Sequence, residues 1–292
     1  MFSFTVIIPN LHTPSIGETV QALEQQDYDR AQFEVIVVGM DKYGLVRESD
    51  VARFDRSERP LSPAQARNRG AGQARGEVLV FTDADCLPRP DWLAALAERF
   101  GDPAVTVVGG GVAFDRQNYW MFADNLSMFY DYLAEHPPGE RRQLPSLNLA
   151  IRRELFEAVG GFDERYPRPS GEDADLTIRL RKLGHCLRFE PRAVVIHHPP
   201  RNRPVDLLRH GYYQGKYSTK VDPRYSDEEG LPWPLGTRWG VVLSAPLLGA
   251  AVTLQIFRRY QNLRKYWYTS PAIYLAKLAW CLGAANRPNW ND

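Results

Sequence analysis

Three short runs of uninterrupted apolar residues, "FTVIIP" (4–9), "FEVIVVG" (33–39) and "EVLVF" (77–81), stand in the first part of the chain with helical patterns between them. Strands that are apolar at nearly every position cannot turn one face to water. They belong inside a sheet covered on both faces, which is how parallel sheets are built. The covering helices are marked at their starts. "SIGE" sets Ser15 and Glu18 at capping-box spacing ahead of Val20 and Leu23, and "SPAQ" sets Ser62 at an N-cap with Pro63 at the first helical position. The second helix is expected to reach Gly76, Pro9 to end the first strand, Asp91 to cap "WLAALAERF" and "AVTVVGG" (104–110) to form a further strand. The alternation predicts an α/β domain with a mostly parallel central sheet and flanking helices.

Beyond this region Phe122, Leu126, Phe129, Tyr130 and Leu133 make an amphipathic helical stripe, best read as packing on the domain. "DADLTIRLRKLG" reads as a helix stopped by Gly184, and "CLRFE" and "AVVIHH" as two short strands. The Pro-, Gly- and acid-rich segment 222–237 reads as a linker, dividing a main α/β domain (1–221) from a hydrophobic and basic helical tail (238–292). The net charge of +1 gives no excess of Lys and Arg to displace counterions, so no nucleic-acid partner is expected. From Thr237 onward seven Lys or Arg face one acid, so the tail carries +6 and the remainder −5. Cys86, Cys186 and Cys281 lie far apart and suggest neither a disulfide framework nor a zinc site. With an N-terminus that reads as a strand rather than an export signal, this fits a cytoplasmic protein.

"FTDADC" places Asp83 and Asp85 directly after the third apolar run. In extended chain, residues i and i+2 point the same way, so both carboxylates would face one spot at the C-terminal edge of the sheet, where open α/β sheets bind ligands. Two such charges about 6 Å apart at an effective dielectric near 20 repel by roughly 3 kcal/mol, and a divalent cation between them reverses the sign. Alone, the pair supports an Asx turn leading into Pro88 equally well. Its company favours a site. "SGEDADL" supplies Glu172, Asp173 and Asp175 at a helix start, more acid than a cap needs: Asp175 suits the cap, and a second carboxylate beside a metal suits a general base. His197 and His198 end the strand "AVVIHH", where an imidazole could complete a metal shell.

The ordered series "VIIPN", "ARNRGAGQARGEVLVFTDADC", "LNLAIRRELFEAVGGFDE", "GEDADLTIRLRKLG" and "AVVIHH" resembles the family 2 glycosyltransferases with the GT-A fold, over about residues 4 to 200. The resemblance implies that Asp83 and Asp85 hold Mn²⁺ or Mg²⁺ against a donor diphosphate, with Asp85 the direct ligand. It implies that Asp173 deprotonates the acceptor hydroxyl, that His197 contacts the metal or diphosphate, and that Pro9, Arg67 and Asn68 lie on the nucleotide side. Family members usually carry an acidic pair after the second strand. This chain reads "VVGMDKYG", leaving Asp41 as the nearby acid, either for the ribose or for a surface turn, and UDP, GDP and dTDP sugars all open.

The tail holds nineteen uncharged residues (239–257), then "RRYQNLRK", then an apolar stretch interrupted by Lys277. That pattern favours interfacial helices on the inner face of the plasma membrane over true spans, with a packed helix pair as the alternative. The resulting expectation is a metal-dependent inverting glycosyltransferase acting on a glycan or lipid-linked acceptor. A sugar nucleotidyltransferase would want a basic, Gly-rich phosphate loop after the first strand, which "PNLHTPSIGE" does not supply. A dehydrogenase would want GxGxxG there, and a catalytically dead scaffold would not need Asp83, Asp85 and Asp173 together.

Overall fold

The computed structural model describes residues 3–289, so the first two residues of the N-terminal reading and the last three of the tail lie outside it. The chain divides into two compact units. One comprises the chain up to Ala113 with Asp131–His198, and the other Phe114–Tyr130 with the chain from Pro199 onward. The division falls at His198 rather than at residue 221, because residues 199–221 belong with the tail.

The strands of the first unit are β1 (Phe4–Leu11), β2 (Phe33–Met40), β3 (Ala52–Arg56), β4 (Val78–Thr82), β5 (Cys86–Pro88), β6 (Val107–Phe114), β7 (Gly139–Glu140), β8 (Asn148–Arg152) and β9 (Leu187–His197). They form one sheet in the order β3-β2-β1-β4-β8-β6-β9-β5, with β7 paired to β9. The core β3-β2-β1-β4 is parallel, whereas β8 pairs antiparallel with both β4 and β6, and β9 antiparallel with both β5 and β7. β1, β2 and β4 are buried along almost their whole length, as their unbroken apolar runs require. From β1 the chain moves to β2 and β3 on one side and returns to β4 on the other. The order therefore reverses between β1 and β4, and the crevice at the C-terminal ends of these strands is where such sheets take ligands.

Several local expectations change. β1 runs through Pro9, which pairs in register with Val38 where the ladder to β4 has already ended at Ile7–Phe81, so a residue without N–H is tolerated there. The helices of this unit are α1 (Ile16–Glu24), α2 (Pro63–Ala71), α3 (Trp92–Phe100), α5 (Arg153–Ala158) and α6 (Glu172–Lys182), with α4 (Tyr119–Phe129) in the second unit. The Ser62–Gln65 capping box forms as read, but α2 stops at Ala71 rather than Gly76. Ser15 and Asp91 make no side-chain cap bonds. The two strands expected at "CLRFE" and "AVVIHH" are one, β9, with Pro191 tolerated inside it. Gly184, at φ +88, does end α6.

The second unit contains α4, α7 (Pro204–Lys216), α8 (Ser226–Glu229), α9 (Arg238–Leu243), α10 (Ala245–Arg259) and α11 (Ser270–Ala285). α7 and α11 approach so closely that a Cβ on Gly215 would sit 1.9 Å from the Trp280 carbonyl, and one on Gly283 1.8 Å from that of Tyr212. Buried Asp124 on α4 pairs with Arg201 (2.7 Å) and with His210 Nδ1 on α7 (2.8 Å). Burial would raise its pKa, but the charges of His210 and Arg201 outweigh this and hold the carboxyl below its usual range. Lys277, read in sequence as a charge interrupting an apolar stretch, turns inward and donates to the Ser127 carbonyl at 2.8 Å. Residues 222–237 are not an open linker, since Asp222 and Tyr225 are buried and α8 lies within the segment. Among the described residues no helix is long and apolar enough to cross a membrane.

Candidate active site

The two aspartates leave β4 in a turn, not in extended chain. Cys86 N–H donates to the Asp83 carbonyl at 3.1 Å, which closes a β-turn over Asp83–Cys86. The turn is pinned from α1: Ser15 Oγ (3.1 Å) and Thr19 Oγ1 (3.0 Å) both donate to the Ala84 carbonyl between the aspartates. This is why Ser15 does not cap α1. The turn also gives the two carboxylates different partners. Asp83 Oδ1 accepts from Arg67 Nη2 at 2.7 Å. Asp85 Oδ1 lies 3.7 Å from His197 Nε2.

β5 brings the second meeting about. Cys86 pairs in register with His197, and His198 N–H donates to the Asp85 carbonyl at 2.9 Å, so the end of β9 is zipped to the turn. Asp85, Cys86 and His197 each offer one ligand atom, and these atoms all lie within 4.8 Å of one another. Burial, reinforced by the charges of Asp85 and Asp83, pushes the Cys86 thiol well above its ordinary pKa and keeps it neutral. Asp85 and His197 are therefore the donors suited to a divalent cation, and His197 is the buried one of the His197–His198 pair.

Arg67 joins the turn to the acids of α6. Its guanidinium, fully buried and stacked on the Phe162 ring (5.4 Å), reaches Asp83 with one nitrogen and Glu172 Oε1 (2.9 Å) with another. α6 begins at Gly171, whose φ of +91 turns the chain so that Glu172 and Asp173 open the helix. Asp173 accepts from Ala174 N–H (2.8 Å) and Ser146 N–H (3.3 Å). Burial raises its pKa; the two N–H groups and Arg67 oppose this, and the charge of Asp83 adds to it. Burial, with the neighbouring Asp173 charge, pushes Glu172 up to about 7 despite Arg67. Asp175, in the first turn of α6, pairs its carboxylate with Arg179 (2.8 Å), which also holds the carbonyls of Val159 and Gly161.

At the other end of the crevice, Gly39 has φ +134, and a Cβ there would lie 2.0 Å from the Asn10 carbonyl. No acidic side chain fits where the family pattern has its first acid. Asn10 instead ties the strand ends together, donating to the Met40 carbonyl (3.0 Å) and accepting from Thr13 N–H (3.1 Å). Asp41 commits its carboxylate to the N–H groups of Tyr43 (3.1 Å) and Val46 (2.7 Å), which is the turn reading. Asn68, expected beside the nucleotide, braces another turn through the Phe162 carbonyl (2.8 Å) and N–H (2.9 Å) and Glu164 (3.0 Å). Thr19 and Ser146 carry no local signature of these roles, the capping-box spacing of Ser15 points to a different one, and the Arg67–Glu172 bridge spans 105 positions. Cys86 was legible in principle, standing next to the pair.

The model of the family described as "Glycosyl transferase family 2" matches residues 5–160, more than half of the chain. The chain belongs to glycosyl transferase family 2. Among curated relatives of this family 2 member, the glycosyltransferase AglE of Haloferax volcanii is 28% identical over 228 residues, covering 74% of this chain and 73% of that protein. The pre-mycofactocin glycosyltransferase of Mycobacterium tuberculosis is 32% identical over 159 residues, covering 52% of this chain but only 33% of the relative. Of solved structures, the mannosyltransferase PcManGT from Pyrobaculum calidifontis, in complex with GDP-Man and Mn²⁺, matches with a TM-score of 0.61 at 22% identity, over 94% of this chain and 86% of that one. GalNAc-T7 with UDP, GalNAc and Mn²⁺ matches with a TM-score of 0.55 at 18% identity, over 78% and 52%. These likenesses show the GT-A-like fold expected from sequence.

Proposed function

We propose that this family 2 glycosyltransferase moves a sugar from a nucleoside-diphosphate sugar to a hydroxyl of a glycan or lipid-linked acceptor, with inversion at the anomeric carbon and with Mn²⁺ or Mg²⁺ at the Asp85–His197 pair. The observation that carries this reading is the meeting of that pair with Asp83, Arg67 and Asp173 at the switch-point edge of the sheet. The fit to a cation rests on donor chemistry: a carboxylate oxygen and an imidazole nitrogen, in a group whose ligand atoms lie within 4.8 Å of one another, can both ligate a divalent ion, the carboxylate being the donor that suits Mn²⁺ and Mg²⁺. When bound, the cation neutralises charge developing on the leaving diphosphate.

The chain's own residues supply the rest. Asp173, held by the N–H groups of Ser146 and Ala174 and made more basic by burial, takes the proton of the acceptor hydroxyl. The freed oxygen attacks the anomeric carbon as the bond to the diphosphate breaks, and the nucleoside diphosphate leaves with the electron pair. Glu172 and Asp83 are both tied to Arg67, which favours their acting as ion-pair partners rather than as a nucleophile. A single displacement follows. Arg67 holds Asp83 toward the donor, and Pro9 and the Asp41 loop shape the nucleotide side, with the loop carrying the exposed Tyr43 ring. The transferases crystallised with GDP-Man or UDP support a purine or pyrimidine diphosphate donor. The basic, apolar tail supports a reaction at the inner membrane face.

Thermal shift across UDP, GDP and dTDP sugars, with and without Mn²⁺, tests the reading. A donor at 100 times its dissociation constant stabilises by about 2.7 kcal/mol, and the gain should need the metal. No stabilisation by any nucleotide sugar with Mn²⁺ overturns it.

A further inference from the structure

The sharpest unexplained surface lies on the second unit. α9 and α10 run nearly as one helix: Ser244 between them keeps helical dihedrals (φ −87°, ψ −5°), with Ser244 N–H donating to the Gly240 carbonyl and Leu248 N–H to that of Ser244. One face of this helix, Val241, Ala245, Gly249, Thr253 and Ile256, is buried. The opposite face should be polar if it meets water. It is not. Trp239, Leu243 and Leu247, spaced by four residues, are 78%, 79% and 77% exposed, Leu254 continues the row, and Trp233 stands 85% exposed in the turn before it.

Charge identifies the occupant. From Gly230 to Asn291 the sequence holds seven Lys or Arg and no acid. Arg258, Arg259, Arg264 and Lys265 are exposed at and just beyond the end of the apolar row. Trp267, edge-to-face against Phe257 with ring centroids 4.9 Å apart, and Tyr268 are exposed beside them. An exposed apolar stripe flanked by aromatic residues and cations suits an anionic bilayer surface, the apolar side chains entering the acyl region while the cations stay at headgroup level. A second copy of this chain would bring the same positive charge to the contact.

We infer that the outward face of 239–254, with Trp233, seats the protein in the surface of an anionic bilayer, the helix lying in the interface plane and Arg258, Arg259, Arg264 and Lys265 reaching phosphate headgroups. This deepens the proposed reading by naming the surface that brings the site to a lipid-linked acceptor, and it rests on that reading for the acceptor only.

The test is sedimentation of the full chain with vesicles of phosphatidylcholine alone and of phosphatidylcholine with roughly one phosphatidylglycerol in three lipids, alongside tryptophan emission. Wild type should sediment with the anionic vesicles at least about tenfold better than with the neutral ones and show a blue shift, and salt should weaken both. Leu243→Glu/Leu247→Glu should abolish sedimentation by more than about tenfold at unchanged melting temperature and unchanged donor hydrolysis with Mn²⁺. Arg258→Gln/Arg259→Gln should lose the preference for anionic lipid. Wild type left in the supernatant, a Leu243→Glu/Leu247→Glu variant that still binds, or a dimer that this variant dissolves while vesicles are ignored would each overturn the inference. Donor hydrolysis intact in any of these outcomes leaves the proposed function standing, and vesicle binding without turnover on any donor overturns that function alone.

Discussion

Arg67 is the residue on which the site's electrostatics turn. A guanidinium fully out of water is tolerable only because Asp83 and Glu172 each pair with it, at 2.7 and 2.9 Å. Removing it would leave two uncompensated carboxylates beside Asp173. Arg67→Ala should therefore lower unfolding free energy by about 3–5 kcal/mol in urea denaturation, and weaken donor binding as Asp83 loses its hold. Glu172 sets a pH dependence. Its folded pKa of about 7 lies above the ordinary 4.5, so between those values the folded chain binds a proton that the unfolded chain has released. Stability should fall as pH rises from about 4.5 through about 7, and Glu172→Gln should flatten that slope in melts across the range. A slope that survives the substitution would assign it to another group.

At the scale of elements, the strand ends decide what each loop can carry. β1 and β2 close on each other at Asn10 and Gly39, and only glycine fits that approach at φ +134. Gly39→Ala should cost at least about 2 kcal/mol, from strain and from the shift it forces on Asn10, readable as a lower urea midpoint. Restoring an acid there should not improve nucleotide binding. The elements legible in sequence were those whose burial leaves a mark: β1, β2 and β4 as unbroken apolar runs, α2 through its capping box, and the end of α6 at Gly184. β3 ("ARFDR") and the three residues of β5 were not legible, since edge pairing rather than composition makes them strands. Nor was the turn that parts Asp83 from Asp85, because hydroxyls on α1 create it by gripping the Ala84 carbonyl from 65 and 69 positions away. Ser15→Ala/Thr19→Val should loosen this turn and weaken metal-dependent donor binding in titration calorimetry, while the fold persists by circular dichroism.

Across the whole molecule, the ordered series of motifs gave family and fold, because chemistry-bearing residues at the C-terminal edge of a sheet recur in a set order. Their partners were hidden because folding joins Asp83 to Arg67, Asp85 to His197 and Asp173 to Ser146 across long stretches of chain. The two-part organisation was likewise hidden: segment 114–130, interrupting the first unit, joins its own unit through the Asp124–Arg201–His210 cluster rather than through any break in composition. The central claim is that Asp173 is the base opposite the Asp85–His197 pair. Turnover of the donor identified by thermal shift, measured with Mn²⁺ for wild type and Asp173→Asn at matched donor occupancy, tests it most directly. The account predicts a fall in kcat of about 100-fold or more, with donor binding and melting temperature retained. An Asp173→Asn protein that turns over at the wild-type rate would contradict it.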